Sequence, residues 1–260
     1  MFWFCGVNDR SQMHKNLYLA ALISAKKNTT LIPVLLYDGN DTDFCHRVET
    51  YGCKLVKHVT SFSNKENFIK KNVDWKGIAN GAFLRIDIPL VCDTLHIKDP
   101  FVLYTDTDVI FLQDVVSDLE SYAPEYFAIC PEFNKTNYDQ FNSGVMLINI
   151  KTMLESYSEF ANFMESKDYD FIAFDQGALQ EFYKGKAEKL PLEFNHKPYW
   201  GIDNSAKIIH YHGPKYDNII NYFNGTEKEH IKKAYAHIFN MVDVDMWKHY
   251  LNLYKSYTIM

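Results

Sequence analysis

Short apolar runs alternate along this chain with segments of helical spacing, a pattern that predicts strands and helices packed in layers. FWFCGV at 2–7 is the first run and closes at Asn8-Asp9; Ser11 then opens a segment in which Met13, Leu17, Ala20 and Ala21 recur with helical period. LIPVLLYDG at 31–39 reads as a second strand, and Cys53 to Val59 as a weaker third. Residues 61–77 are polar and read as a loop with a short helix. From Ile78 to Leu95 the period is helical, with a break or kink expected at Pro89. Phe101 to Tyr104, Val109 to Phe111, FAIC at 127–130 and Val145 to Ile150 supply further strands, with Asn142-Ser143-Gly144 as a tight entry to the last. An amphipathic helix follows over 151–166, then a helix over 174–183 in which Asp175 stands at the cap. LPLEFNHKPYWG at 190–201 is irregular, AKIIHYHGPKY at 206–216 is a last strand, and Thr226 to Met260 reads as two helices.

This order predicts an α/β protein with a mostly parallel mixed sheet. Ligands of such sheets sit beyond the carboxyl ends of the strands, where Asn8, Asp9, Asp38, Asp106 and Asp108 would gather. The length of 260 residues fits one large domain or a domain with an appendage, and 47% apolar with 23% charged residues is an ordinary globular balance. A net charge of −6 excludes a broad basic surface for nucleic acid. Five scattered cysteines without a C-x-x-C pair read as reduced thiols. With no membrane-length run and no export signal in the sequence, the expectation is a cytoplasmic protein.

Chemistry enters at FVLYTDTDVIF, residues 101–111. Side chains two apart in an extended chain share a face, so Asp106 and Asp108 aim into one space and repel. Either they form a solvated turn around Thr107, or a hard cation neutralises both. Arg85, flanked by apolar residues, is either a snorkelling surface side chain or a contact to phosphate or carboxylate.

Taken together and in order, YTDTDVIF, FNSGVMLIN, FDQGAL and HYHGPK resemble the retaining nucleotide-sugar glycosyltransferases of family 8, which have the GT-A fold. The resemblance runs from the first strand to about residue 216. It implies a GT-A domain over 1–216, followed by a C-terminal helical extension over 217–260. By the same resemblance Asp106 and Asp108, with Thr107 between them, match the D-x-D that holds Mn²⁺ (or Mg²⁺) on the diphosphate of a UDP-sugar. His210 matches the third protein ligand. An imidazole beside two carboxylates also suits Mn²⁺ on chemical grounds. Gly213 and Lys215 match the motif's diphosphate end, with Lys215 one residue nearer the glycine than is usual. Cys5, Val7 and Asn8 match the loop that holds base and ribose, largely through backbone. Arg85 matches an arginine near the donor phosphate and sugar. Asn142 and Ser143 match positions lining the donor sugar, and Asp175 and Gln176 the D-Q pair beside the anomeric carbon.

The implied activity is transfer of glucose or galactose from a UDP-sugar to a saccharide or glycolipid acceptor. Asp175, Gln176 and Lys215 then act nearest the chemistry. Two rivals stand beside it. A sugar-nucleotide pyrophosphorylase would carry a glycine-rich basic loop after the first strand, which NDRSQMHKN at 8–16 lacks. An inactive UDP- or glycan-binding relative would be marked by loss of an acid, and both acids are present. Trp247, Tyr250, Leu251 and Tyr254 recur at helical spacing near Lys248 and Lys255. That stripe either packs on the protein or lies on the cytosolic face of a membrane.

Overall fold

The first strand, β1 (Phe2–Asn8), is apolar on both sides because both of its faces are covered. Phe4 belongs to one core cluster, while Trp3, Cys5 and Val7 belong to the other. The same division recurs in β2 (Ile32–Asp38), where Val34 and Leu36 face one way and Leu35 and Tyr37 the other. The protein is seen here as a computed structural model that describes residues 1–74, 77–241 and 243–258. The remaining strands are β3 (Lys54–Lys57), β4 (Phe101–Thr105), β5 (Val109–Phe111), β6 (Phe127–Pro131), β7 (Phe141–Asn149), β8 (Glu188–Lys189) and β9 (Ile208–His210).

Seven strands form one sheet in the order β3-β2-β1-β4-β7-β6-β8, and β5 pairs with β9 in a separate ribbon. Pairings β1 to β2, β2 to β3 and β1 to β4 are parallel, whereas β7 runs antiparallel to both β4 and β6. The sheet is therefore mixed, as expected. Its order doubles back between β1 and β4, so a crevice opens beyond their carboxyl ends.

Several local expectations change. A helix at Thr42–Thr50, absent from the sequence reading, is capped by the Asp41 side chain and buries Phe44 and Val48. The stretch after Gly77 is broken into Ile78–Ala82, a 3₁₀ turn at Phe83–Asp87 and a helix at Ile88–Thr94. Pro89 does not cause that break; it lies in the first turn of the last piece, where a missing N–H costs nothing. Asn142-Ser143-Gly144 belongs to the body of β7 rather than to a turn before it.

After a helix at Tyr216–Phe223, the described residues from Thr226 on form three helices rather than two: Glu229–Ala234, Ala236–Phe239 and Val244–Lys255. Trp247, Tyr250 and Leu251 are buried among Tyr199, Tyr211 and Ile219, and Tyr211 Oη donates to the Tyr250 carbonyl at 2.6 Å. The aromatic stripe is thus consumed by packing within the chain and does not present itself to a membrane. No helix among the described residues is long and apolar enough to cross one. Trp247→Ala should lower stability by about 3–5 kcal/mol in a denaturant titration. A change within about 0.5 kcal/mol, the size of an ordinary surface substitution, would show that the stripe is not core.

Candidate active site

The segment after β4 is fixed from three sides. Trp3 Nε1 donates to Thr105 Oγ1 at 2.8 Å, Asp106 N donates to the Gly144 carbonyl at 2.8 Å, and Tyr211 N donates to the Asp108 carbonyl at 2.8 Å. Thr107 and Asp108 are only 6% and 5% exposed, so the pair is not a solvated turn. Ligand atoms of Asp106, Asp108 and His210 lie within 4.8 Å of one another. His210 Nε2 is 3.4 Å from Asp108 Oδ1 and 3.9 Å from Asp106 Oδ2.

A chain of hydrogen bonds sets the face that His210 offers. Gly144 N can only donate, so the Asn142 atom 3.1 Å from it is Oδ1; Asn195 Nδ2 donates to the same oxygen at 3.1 Å. That turns Asn195 Oδ1 toward His210 Nδ1, at 2.9 Å, and Nδ1 carries the proton. Nε2 is left facing the carboxylates, the arrangement of a metal-binding imidazole braced through its other nitrogen. Gly144 makes the space: a Cβ there would lie 2.2 Å from His210 Cε1 and 2.9 Å from Asp106 Oδ2. Two carboxylates and one imidazole nitrogen in this cluster fit a divalent cation.

Two cations balance the acids. Lys215 Nζ pairs with Asp108 Oδ2 and donates to the Tyr211 carbonyl at 3.0 Å. Burial alone would raise the Asp108 carboxyl, but the Lys215 ammonium outweighs it and holds the group well below the usual range. Arg85, delivered by the 3₁₀ turn, is buried. Its Nη2 lies 3.2 Å from Asp106 Oδ1, its Nη1 donates to the Ser143 carbonyl and Oγ at 2.6 and 2.8 Å, and its plane covers the Tyr104 ring at 4.7 Å. Tyr104 Oη in turn donates to Asp106 Oδ1 at 2.7 Å.

Asp175 does not cap its helix. Phe174 holds the cap position, and the carboxyl turns to Arg85, whose Nε is 2.5 Å from Oδ2. The Nε–H itself is directed to the Ala82 carbonyl at 3.3 Å, so this is a charge contact rather than an aligned hydrogen bond. Burial pushes the Asp175 carboxyl up to about 6, with Arg85 opposing and Asp106 adding. Next to it, Gln176 Oε1 accepts from Ser143 N at 2.9 Å.

The cleft also takes in Val7, Asn8, His14 and Gly81, at the end of β1. Asn8 spends its side chain on backbone: Nδ2 donates to the Gly77 carbonyl at 3.1 Å and Oδ1 accepts from Arg10 N at 3.2 Å. Any contact from Asn8 to a nucleotide would therefore come from its main chain. Two predicted residues stay outside. Cys5 does not line the cleft and packs in the core cluster with Tyr18 and Cys53. Gly213, at φ 88°, leaves room for Ile238, whose Cδ1 would lie 2.3 Å from a Cβ there. It serves the docking of the tail.

Sequence reasoning missed His14, Tyr104, Glu132 and Asn195; of these His14, Tyr104 and Glu132 line the cleft, as does His212. Tyr104 was within reach of the sequence, since it precedes Asp106 by two and shares its face. Behind the site, Lys197 is buried, with Nζ donating to the Pro131 carbonyl at 2.7 Å and lying 4.3 Å from the Trp200 ring centre. Burial pushes this amine down to about 7, against the pull of Cys130 and Glu132.

If the cluster holds a divalent cation, Gly144→Ala should leave the fold cooperative yet weaken that binding, read by titration calorimetry with Mn²⁺ as the probe, by at least about tenfold, because it displaces the imidazole. For Lys197, the unfolded chain keeps its proton to about pH 10.5 while the folded chain releases it near 7. Between those values the unfolded state binds more protons, so the parent's stability relative to Lys197→Met should rise with pH by up to about 1.4 kcal/mol per unit. Denaturant titrations at pH 6, 8 and 10 check this; a constant difference would show that Lys197 is charged throughout.

Among solved structures, the chain superposes on an active-site mutant of LgtC with TM-score 0.65 at 16% identity, covering 94% of this chain and 98% of that one. The galactosyltransferase LgtC solved with donor and acceptor sugar analogues gives 0.62 at 18%, over 82% of this chain and 88% of that one. The glycosyltransferase GlyE of Streptococcus pneumoniae TIGR4 gives 0.62 at 18%, over 99% of this chain but only 64% of GlyE. These likenesses establish the GT-A fold. In sequence, 163 residues are 26% identical to glycosyltransferase GlyB of Streptococcus pneumoniae serotype 4, amounting to 62% of this chain and 37% of GlyB, so the chain spans well under half of that relative. Residues 16–216 match the family described as Glycosyl transferase family 8, and with that span of agreement the chain belongs to it.

Proposed function

We propose that this protein is a glycosyltransferase that moves a hexose, glucose or galactose, from a UDP-sugar to a saccharide or glycolipid acceptor on the cytoplasmic side, with retention of configuration. Residues 1–216 form the catalytic domain in this reading and 217–260 an extension packed on it. The observation that carries it is the convergence of Asp106, Asp108 and the free face of His210, with Lys215 and Arg85 alongside, in a chain of this family.

In this reading Asp106, Asp108 and His210 hold Mn²⁺, or Mg²⁺ less well, since a nitrogen donor favours the later metal. The ion supplies Lewis-acid stabilisation of the charge that develops on the departing diphosphate. Lys215 adds a second positive charge once it leaves Asp108 for the phosphates. The main chain at Val7 and Asn8 faces the nucleoside, while Arg85, Asn142, Ser143 and Gln176 line the sugar. Asp175 is a poor nucleophile here, because its carboxylate is buried against the Arg85 guanidinium. The acceptor hydroxyl then attacks from the leaving-group side. The bond from the anomeric carbon to the phosphate oxygen breaks as the new glycosidic bond forms, and that phosphate oxygen takes the acceptor's proton.

Calorimetry with UDP, with and without Mn²⁺, tests the site directly. Asp106→Ala should lose at least about 100-fold of the Mn²⁺-dependent UDP affinity while its thermal unfolding stays cooperative. UDP binding equal to that of the parent would remove Asp106 from the metal site. Hydrolysis screens across UDP-, GDP- and CDP-sugars test the donor class, and a folded protein inert toward every UDP-sugar would refute the proposal.

A further inference from the structure

One carboxylate in the cleft has no part in this scheme. Glu132 directly follows β6, and its main chain is fixed at both ends: its N donates to the Gln140 carbonyl at 2.9 Å, and its carbonyl accepts from Tyr199 Oη at 3.0 Å. The preceding carbonyl, of Pro131, is the one held by Lys197. On this anchored base the Glu132 side chain reaches the cleft, where Oε1 accepts from Gln176 Nε2 at 3.1 Å and lies 3.4 Å from His212 Nε2.

The far end of the Gln176 amide decides what that contact does. Its Oε1 takes three donors: Ser143 N at 2.9 Å, Ser143 Oγ at 3.2 Å and Asn142 Nδ2 at 3.3 Å. A backbone N–H cannot accept, so the amide has one orientation, with Nε2 toward Glu132. A carboxylate is an acceptor only, and it opposes the flipped amide, which would set oxygen against oxygen. Ser143 also accepts from Arg85, so the amide, Ser143 and the guanidinium form one hydrogen-bonded wall that ends at Glu132.

We propose that Glu132 is a positioning residue that fixes the Gln176 amide and, through it, the wall against which the donor sugar is held for transfer. This rests on the reading of Asn142, Ser143 and Gln176 as the sugar side of the cleft. Glu132 acts at that wall and not at the nucleotide, which gives it a signature distinct from general structural damage.

The experiment compares the parent with Glu132→Ala, Glu132→Gln, Gln176→Ala and the Glu132→Ala/Gln176→Ala double variant. It measures the affinities of UDP and of a hydrolysable UDP-sugar with Mn²⁺, together with kcat and KM for donor hydrolysis. In Glu132→Ala, UDP affinity should stay within about twofold while UDP-sugar affinity and kcat each fall about tenfold or more, the scale expected when a positioned group is loosened. Glu132→Gln keeps an acceptor oxygen of the same reach and should recover most of the loss. The double variant should be no worse than Gln176→Ala alone, since Glu132 acts through Gln176. Parental donor binding and kcat in Glu132→Ala, or full additivity in the double variant, would overturn the proposal. A parent protein that binds no UDP would instead overturn the reading on which it rests.

Discussion

Asp106, Asp108 and Asp175 stand close to Arg85 and Lys215 in the cleft, and the arrangement around these three carboxylates follows from the need to keep them there. At about 4 Å, two like charges repel by roughly 1 kcal/mol in water and about 4 kcal/mol near a protein surface. Asp108 and Asp175 are buried, so water alone cannot screen them. Arg85 stands between Asp106 and Asp175, and Lys215 closes on Asp108. The 3₁₀ turn at Phe83–Asp87, the antiparallel pairing of β9 with β5 and the chain after His210 all serve to bring those two cations to the acids. The site is therefore preorganised for positive charge, with its own side chains supplying part of it.

The layered pattern of the sequence predicted the sheet because β1, β2 and β4 are apolar on both faces, and burial on two sides leaves an unbroken run. The Asp106 and Asp108 pair was legible for the complementary reason: charge has no place at the end of such a run unless something neutralises it. The helix at Thr42–Thr50 buries only two residues, Phe44 and Val48, and is held at its start by the Asp41 cap. The break falls at Phe83–Asp87 and not at the expected Pro89; every residue of that turn is buried and the turn is needed to aim Arg85.

Motif likeness marked the chemistry and was coarser about individual roles. Cys5 and Gly213 occupy motif positions, yet one packs in the core and the other clears space for Ile238. Asp175 occupied a cap position by pattern, but its carboxyl turned inward to the guanidinium. Asn195 and Glu132 belong to no recognised motif. Their importance lies in side-chain hydrogen bonds that span dozens of residues, and no local spacing encodes such a bond.

The irregular stretch from Asn195 to Trp200 reaches behind both walls of the cleft. Asn195 braces His210 and Asn142, Lys197 holds the Pro131 carbonyl, Tyr199 touches Glu132 and His212, and Trp200 Nε1 donates to the Phe133 carbonyl at 2.8 Å. His196 and Gly201 are secured in turn by the Tyr250 hydroxyl from the last helix, at 3.1 and 3.0 Å. Lys197, Tyr199 and Trp200 all reach residues 131–133, Asn195 reaches His210 and His196 the last helix, and 3₁₀ turns interrupt the stretch, so it carries no helical or strand period. Specificity in this scaffold is accordingly not portable by grafting the cleft residues alone. A transplanted set would find its imidazole, its amides and its acids unsupported unless the strap and the helix that fastens it moved with them.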